Sequence, residues 1–206
     1  MASAPGRAPL TPEEYLAIER QVEGKHEYDR GEMFAMGGAS YEHSLIVGNL
    51  HAALHGFLRG GPCAVHPLDL RVLVKPTGLF TYPDVTVVCG EPRFMDNVFD
   101  TLLNPTVIVE VLSPSTESYD RGRKFKHYRS IPSLREYVLV AQDRMTVEWY
   151  RREGELWTLR DASGPEGRVV LDSVGCELPL SLIYERVEFP PEPPKPEPLP
   201  PGPPPA

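Results

Sequence analysis

Apolar residues recur along the chain in two rhythms, and the changes of rhythm mark out its elements. Thr11-Pro12-Glu13-Glu14 opens a helix, with Thr as cap, Pro at the first helical position and Glu three residues after the cap; this helix is predicted to end near Gly24. Lys25–Met36 reads as a hairpin turning at Asp29-Arg30-Gly31. Ser40 caps a longer helix whose core stripe is Ile46, Leu50, Ala53, Leu54 and Phe57, stopping at Arg59-Gly60-Gly61. Strands are predicted at about 63–66, 69–74, 84–89 and 106–112, then a helix over about 116–129 that ends before Pro132. Arg135–Ala141 is another apolar strand; further strands are expected at about 145–151, 155–160 and 168–172, and a short closing helix over Leu180–Val187. Helices, a meander of strands, a crossover helix and a further strand predict an α/β domain with a mixed β-sheet flanked by helices and extra C-terminal strands.

The rhythm fails at both ends. From Pro190 onward, PPEPPKPEPLPPGPPPA holds eleven prolines in seventeen residues and cannot pack a core. Residues 1–10 are expected to be disordered, 11–189 to form one domain, and 190–206 to be an extended tail, either solubilising or a ligand for a partner. No internal repeat is visible. MASAPGRAPLTPEE has no apolar core of signal-peptide length, and no run is long enough to span a membrane. Cys63, Cys89 and Cys176 are isolated and lack metal spacing, so reduced thiols and a cytoplasmic location are expected.

Charge alters the picture in one place. The net charge of −8 argues against a general nucleic-acid binder. Yet Arg121, Arg123, Lys124, Lys126, Arg129 and Arg135 fall within one stretch that holds no acid. Such a segment suits a phosphate backbone or, equally, a solvated helix face.

The chemistry begins with TVIVEVLSPST, Thr106 to Thr116, where Glu110 interrupts an otherwise apolar strand. A carboxylate there is costly unless a cation or strong hydrogen bonds compensate it. Asp84, after Pro83 in YPDVTVV, opens another strand; Asp84, Thr86 and Val88 share one face, as do Ile108, Glu110 and Leu112. Antiparallel pairing would bring Asp84 and Glu110 to one edge. Two carboxylates in an apolar place repel unless a cation lies between them, and hard oxygen ligands suit Mg²⁺ or Mn²⁺. The plainer alternatives are a strand-opening turn residue for Asp84 and a salt bridge for Glu110. Phe125 and Tyr128 mark the packed face of the following helix, and Lys124 at its edge can reach back to Glu110. Its alternative role is a surface ion pair with Asp120 at i, i+4.

These residues resemble a family. Asp84 after Pro83, Glu110 in an apolar strand and a basic helix behind it are similar to the PD-(D/E)XK nuclease superfamily. TPEEYLAIER, KHEYDRGEMFAM, YEHSLIVGNL, YPDVTVV and VEVLSPSTESYDRGRKFKHYR more closely resemble the Uma-type restriction endonucleases of bacteria, over nearly all of residues 11–189. The resemblance implies a restriction-endonuclease-like core and a Mg²⁺-dependent endodeoxyribonuclease. It makes Asp84, Glu110 and the carbonyl of Val111 metal ligands, with Glu27 and His43 as further catalytic candidates. One position departs from the superfamily: Leu112 stands where its lysine is expected, and Lys124 is the residue implied to replace it. His43 reads equally as a core histidine, Glu27 as a cross-strand surface charge, and His51 and His55 as exposed. Arg121, Arg123, Lys126 and Arg129 would contact DNA, and restriction-type enzymes often cut as homodimers. The alternative is a catalytically inactive nuclease-like module that binds DNA or a protein.

Overall fold

The computed structural model describes residues 8–191; most of the expected disordered N-terminus and proline-rich tail lies outside this range. In chain order the elements are α1 (Pro12–Glu19), β1 (His26–Asp29), β2 (Glu32–Ala35), α2 (Tyr41–Leu58), β3 (Cys63–Pro67), β4 (Arg71–Val74), β5 (Leu79–Thr81), β6 (Val85–Cys89), β7 (Thr101–Leu102) and β8 (Val107–Leu112). A helical segment follows as α3 (Glu117–Tyr119), a π turn (Asp120–Lys124) and α4 (Phe125–Tyr128). Then come β9 (Glu136–Ala141), β10 (Thr146–Glu153), β11 (Leu156–Ser163), β12 (Arg168–Leu171), β13 (Cys176–Pro179) and α5 (Leu180–Ile183).

Six strands form one sheet in the order β11-β10-β9-β8-β6-β3, and five form another in the order β2-β1-β5-β4-β7. β12 and β13 pair separately. In the larger sheet β8 and β9 are parallel, joined by the α3–π–α4 crossover, while the other pairs are antiparallel. The predicted antiparallel pairing of β6 with β8 is present.

Alternation along β8 divides the core. Val107, Val109 and Val111 pack with Ile46, Leu50 and Leu54 of α2. Ile108 and Leu112 pack on the opposite side with Tyr128, Tyr137 and Leu139. Glu110 therefore points towards the crossover helix, within a strand buried along its whole length. Steps of four from Ile46 put Leu58, rather than the predicted Phe57, on the buried seam of α2; Phe57 is exposed.

Other differences have local causes. β5 and β7 are missing from the sequence pattern because three and two residues are too few to show a rhythm, and β13, which ends at Pro179, is missing as well. Leu10, expected to be disordered, is tied down: its N–H donates to the Gly31 carbonyl, and its own carbonyl accepts from Tyr28. The reduced state expected for Cys63 and Cys89 is corrected. They lie opposite each other in the β3–β6 register and form a disulfide, while Cys176 is free and buried. Twenty-six residues separate the pair in sequence, so cross-strand register rather than spacing brings it together. Among the described residues no helix is long and apolar enough to cross a membrane.

Candidate active site

The floor of the site is where β6 and β8 run side by side. Their register, Val85 opposite Val109 and Thr86 opposite Ile108, brings Asp84 opposite Glu110 when continued one step. The Val111 N–H donates to Asp84 Oδ2 at 2.7 Å, fixing the carboxylate to β8. Asp84 Oδ1 lies 3.0 Å from His43 Nε2. Ser40 caps α2, its Oγ accepting from the His43 N–H at 3.1 Å, so the cap that starts the helix also places this ring.

Glu110 Oε1 accepts from the Tyr128 hydroxyl at 2.7 Å and lies 2.9 Å from Lys124 Nζ. Its Oε2 takes no hydrogen bond from the described residues. Lys124 Nζ is also 3.1 Å from Glu27 Oε1 and 3.5 Å from Asp120 Oδ1. Asp120, Lys124 and Tyr128 follow one another at steps of four through the π turn and α4, which brings all three to one face. The Tyr137 hydroxyl donates to the Asp120 carbonyl at 3.1 Å, giving that carbonyl a side-chain partner. The ion pair of Asp120 with Lys124, read as a surface contact from i, i+4 spacing, is instead buried.

Glu27 arrives from the other sheet. Its Oε1 accepts from the Thr81 hydroxyl of β5, and its Oε2 accepts from Tyr119 at 3.3 Å. Glu27, His43, Asp84, Glu110, Tyr119, Asp120 and Lys124 line one cavity of about 730 Å³, with Thr81, Tyr128 and Tyr137 behind its wall. The side chains of Glu110 and Lys124 are only 5% and 6% exposed, so the charges lie at its base.

Burial dominates the electrostatics. It pushes the Glu110 carboxyl up against the pull of Lys124, and the negative charges of Asp120 and Asp84 add to the rise. Burial likewise raises Asp120 despite Lys124. It works against the Lys124 ammonium too, but Glu110, Glu27 and Asp120 outweigh it and hold the pKa well above the ordinary lysine value. Four carboxylates thus face one ammonium and one imidazole, leaving the recess short of positive charge.

That deficit and the hard-oxygen donors fit a divalent cation at Asp84 and Glu110. Among the described residues no three His, Cys, Asp or Glu side chains converge as a ready cage. Lys124 stands among three of the carboxylates instead. Two carboxylates are enough for Mg²⁺, which keeps several waters.

The structure therefore gathers Asp84, Glu110, Lys124, Glu27, His43 and Val111 in one place. The basic segment is dispersed by comparison. Arg121 is paired with Glu117 and Glu148, and Arg123 with Asp29; Lys126 and Arg129 are exposed. His51 and His55 stack on each other, His55 exposed and His51 half-buried. Asp120, Tyr119, Thr81 and the Tyr128 hydroxyl were not predicted as site groups. Tyr128 showed only its apolar period, and Thr81 lies in a strand too short to recognise.

A mixed sheet with helices on its faces thus carries acids where two of its strands meet. A crystal structure from Anabaena variabilis, described as a "putative nuclease", superposes with a TM-score of 0.70 over 85% of this chain and 98% of that one, at 19% identity. Residues 12–181 match the Uma2 family, described as "Putative restriction endonuclease". Two proteins of Synechocystis sp., both described as uncharacterized, are 37% and 35% identical to this chain. The matches cover 87% and 78% of it, and 94% and 91% of those proteins. The chain belongs to the Uma2 family. Family and fold together support a nuclease.

Proposed function

We propose that the protein is a metal-dependent endonuclease that hydrolyses phosphodiester bonds in DNA with water as the nucleophile. The observation that carries this reading is the 2.9 Å contact between Lys124 and Glu110, beside Asp84, at the base of one cavity. Lys124 keeps its proton because three carboxylates surround it, so its ammonium can donate to an oxygen of the scissile phosphate or to the attacking water. Glu27 and Asp120 hold that ammonium in place. His43 and the Val111 N–H orient Asp84, and Tyr128 orients Glu110. Mg²⁺ or Mn²⁺, held by Asp84, Glu110 and the Val111 carbonyl, would supply charge neutralisation and an activated water. Two copies acting as a homodimer would give one site per DNA strand.

Plasmid cleavage with Mg²⁺ or Mn²⁺ tests the proposal, comparing wild type with Glu110→Ala and Lys124→Ala. Metal-dependent cutting lost in both variants is the expected result. DNA binding without any cutting by the wild type would make the protein a binding module instead.

A further inference from the structure

The acid cluster has an apolar neighbour that the chemistry above leaves unused. Phe34, Met36 and Leu68 are 46%, 38% and 37% exposed, and all three line the cavity that holds Glu110 and Lys124. Phe34 lies on β2, the outer strand of its sheet, directly opposite Glu27 on β1. Directly paired residues of antiparallel strands project to the same side, their Cβ atoms about 5 Å apart. The ring is therefore a neighbour of an acid that holds Lys124. Met36 continues the hairpin, its N–H donating to the Lys25 carbonyl.

Cations do not frame this opening. The basic residues lining the cavity are Lys25, Lys124 and His43, and the histidine is held by Asp84. Lys25 is engaged by Asp69 and the Leu68 carbonyl, and Lys124 by three carboxylates. Intact duplex is gripped mainly through its phosphates, and free basic groups along the track supply most of that affinity. An unpaired base adds a stacking contact that an apolar or aromatic platform supplies without a cation, a grip that a paired and stacked base cannot use. The depth of the charges points the same way, since a phosphate beside an unstacked nucleotide can enter a recess that the width of an intact duplex keeps out.

Resting on the nuclease reading, we propose that Phe34, Met36 and Leu68 seat an unpaired nucleobase whose own phosphate then enters the Glu110–Lys124 recess. The substrate class is single-stranded DNA, or a duplex with a nucleotide turned out. Base and phosphate are separated by one sugar, which suits a ring standing beside Glu27.

Fluorescence anisotropy of the full chain carrying Glu110→Gln tests this without cutting the probe. The probes are one labelled oligonucleotide as a single strand, as a perfect duplex, and as a duplex with one unpaired central nucleotide. Single strand and bulged duplex are expected to bind at least about tenfold tighter than perfect duplex. Phe34→Ala should lower affinity for them by about tenfold, the scale of one lost base–aromatic stack, while Phe34→Trp retains it. Equal binding to perfect duplex, or a preference that survives Phe34→Ala, overturns the proposal. So does self-association abolished by Phe34→Ala with strand preference unchanged, which would assign the patch to a second copy. The nuclease reading fails separately: a wild type that cuts nothing but keeps a Phe34-dependent strand preference retains the base seat and loses the chemistry.

Discussion

Lys124 Nζ and Glu110 Oε1 lie 2.9 Å apart, one on the crossover helix and the other in the strand that precedes it. The pair is buried, so removing one partner strands the other. Lys124→Ala is expected to destabilise the fold by about 3–5 kcal/mol. At a temperature where the variant remains folded, cleavage should fall by about a hundredfold or more. Urea denaturation and single-turnover cleavage measure the two effects independently. An unstable but fully active variant would leave Lys124 a structural role alone.

The raised pKa of Glu110 links stability to pH. Burial lifts it from an ordinary 4.5 to about 8, so in this window the folded state binds more protons than the unfolded one. Its contribution to stability is present below the ordinary value and is lost as pH rises through about 8. The slope from this group is at most about 1.4 kcal/mol per pH unit. Urea midpoints of the metal-free protein at pH 5, 6.5 and 8 should fall more steeply for wild type than for Glu110→Gln. Parallel curves would refute the link.

His43 Nε2 lies 3.0 Å from Asp84 Oδ1, and on the proposed mechanism it acts through that acid as a positioning residue. His43→Ala should raise the Mg²⁺ concentration for half-maximal cleavage by about ten- to hundredfold, the usual cost of losing a group that orients a metal ligand. Cleavage at saturating Mg²⁺ should fall much less. An unchanged Mg²⁺ requirement would make the histidine a packing residue.

The Cys63–Cys89 disulfide closes a loop of 26 residues at the opposite end of β6 from Asp84. Reduction, or Cys63→Ser with Cys89→Ser, should cost about 3 kcal/mol in chemical denaturation. Cleavage at temperatures well below unfolding should not change, because the strand end that carries Asp84 is held separately by Val111 and His43.

The legibility of the sequence followed the length of its patterns. β8 and α2 are long enough for periodicity to reveal their faces, and Glu110 stood out as a charge within an apolar run. Lys124 was within reach because Tyr128, one turn on, marked the packed side. The pairing of Asp120 with Lys124 was legible from i, i+4 spacing, but its burial was not, since spacing does not say which face the rest of the fold covers. Phe34 was recoverable in principle. Arg30 and Gly31 both take positive φ in a two-residue turn, which pairs Asp29 with Glu32 and hence Glu27 with Phe34. The disulfide depended on a register that no spacing of cysteines encodes.

The π turn also makes the site vulnerable to a change that touches none of its ligands. Deleting Gly122 would shorten the π turn by one residue and change how Tyr119 and Asp120, before it, stand relative to Lys124, after it. Every acid would remain, and motif by motif the descendant would still look intact. A single lost codon would thus disturb the convergence on Glu110 while leaving every charged group of the recess in the sequence.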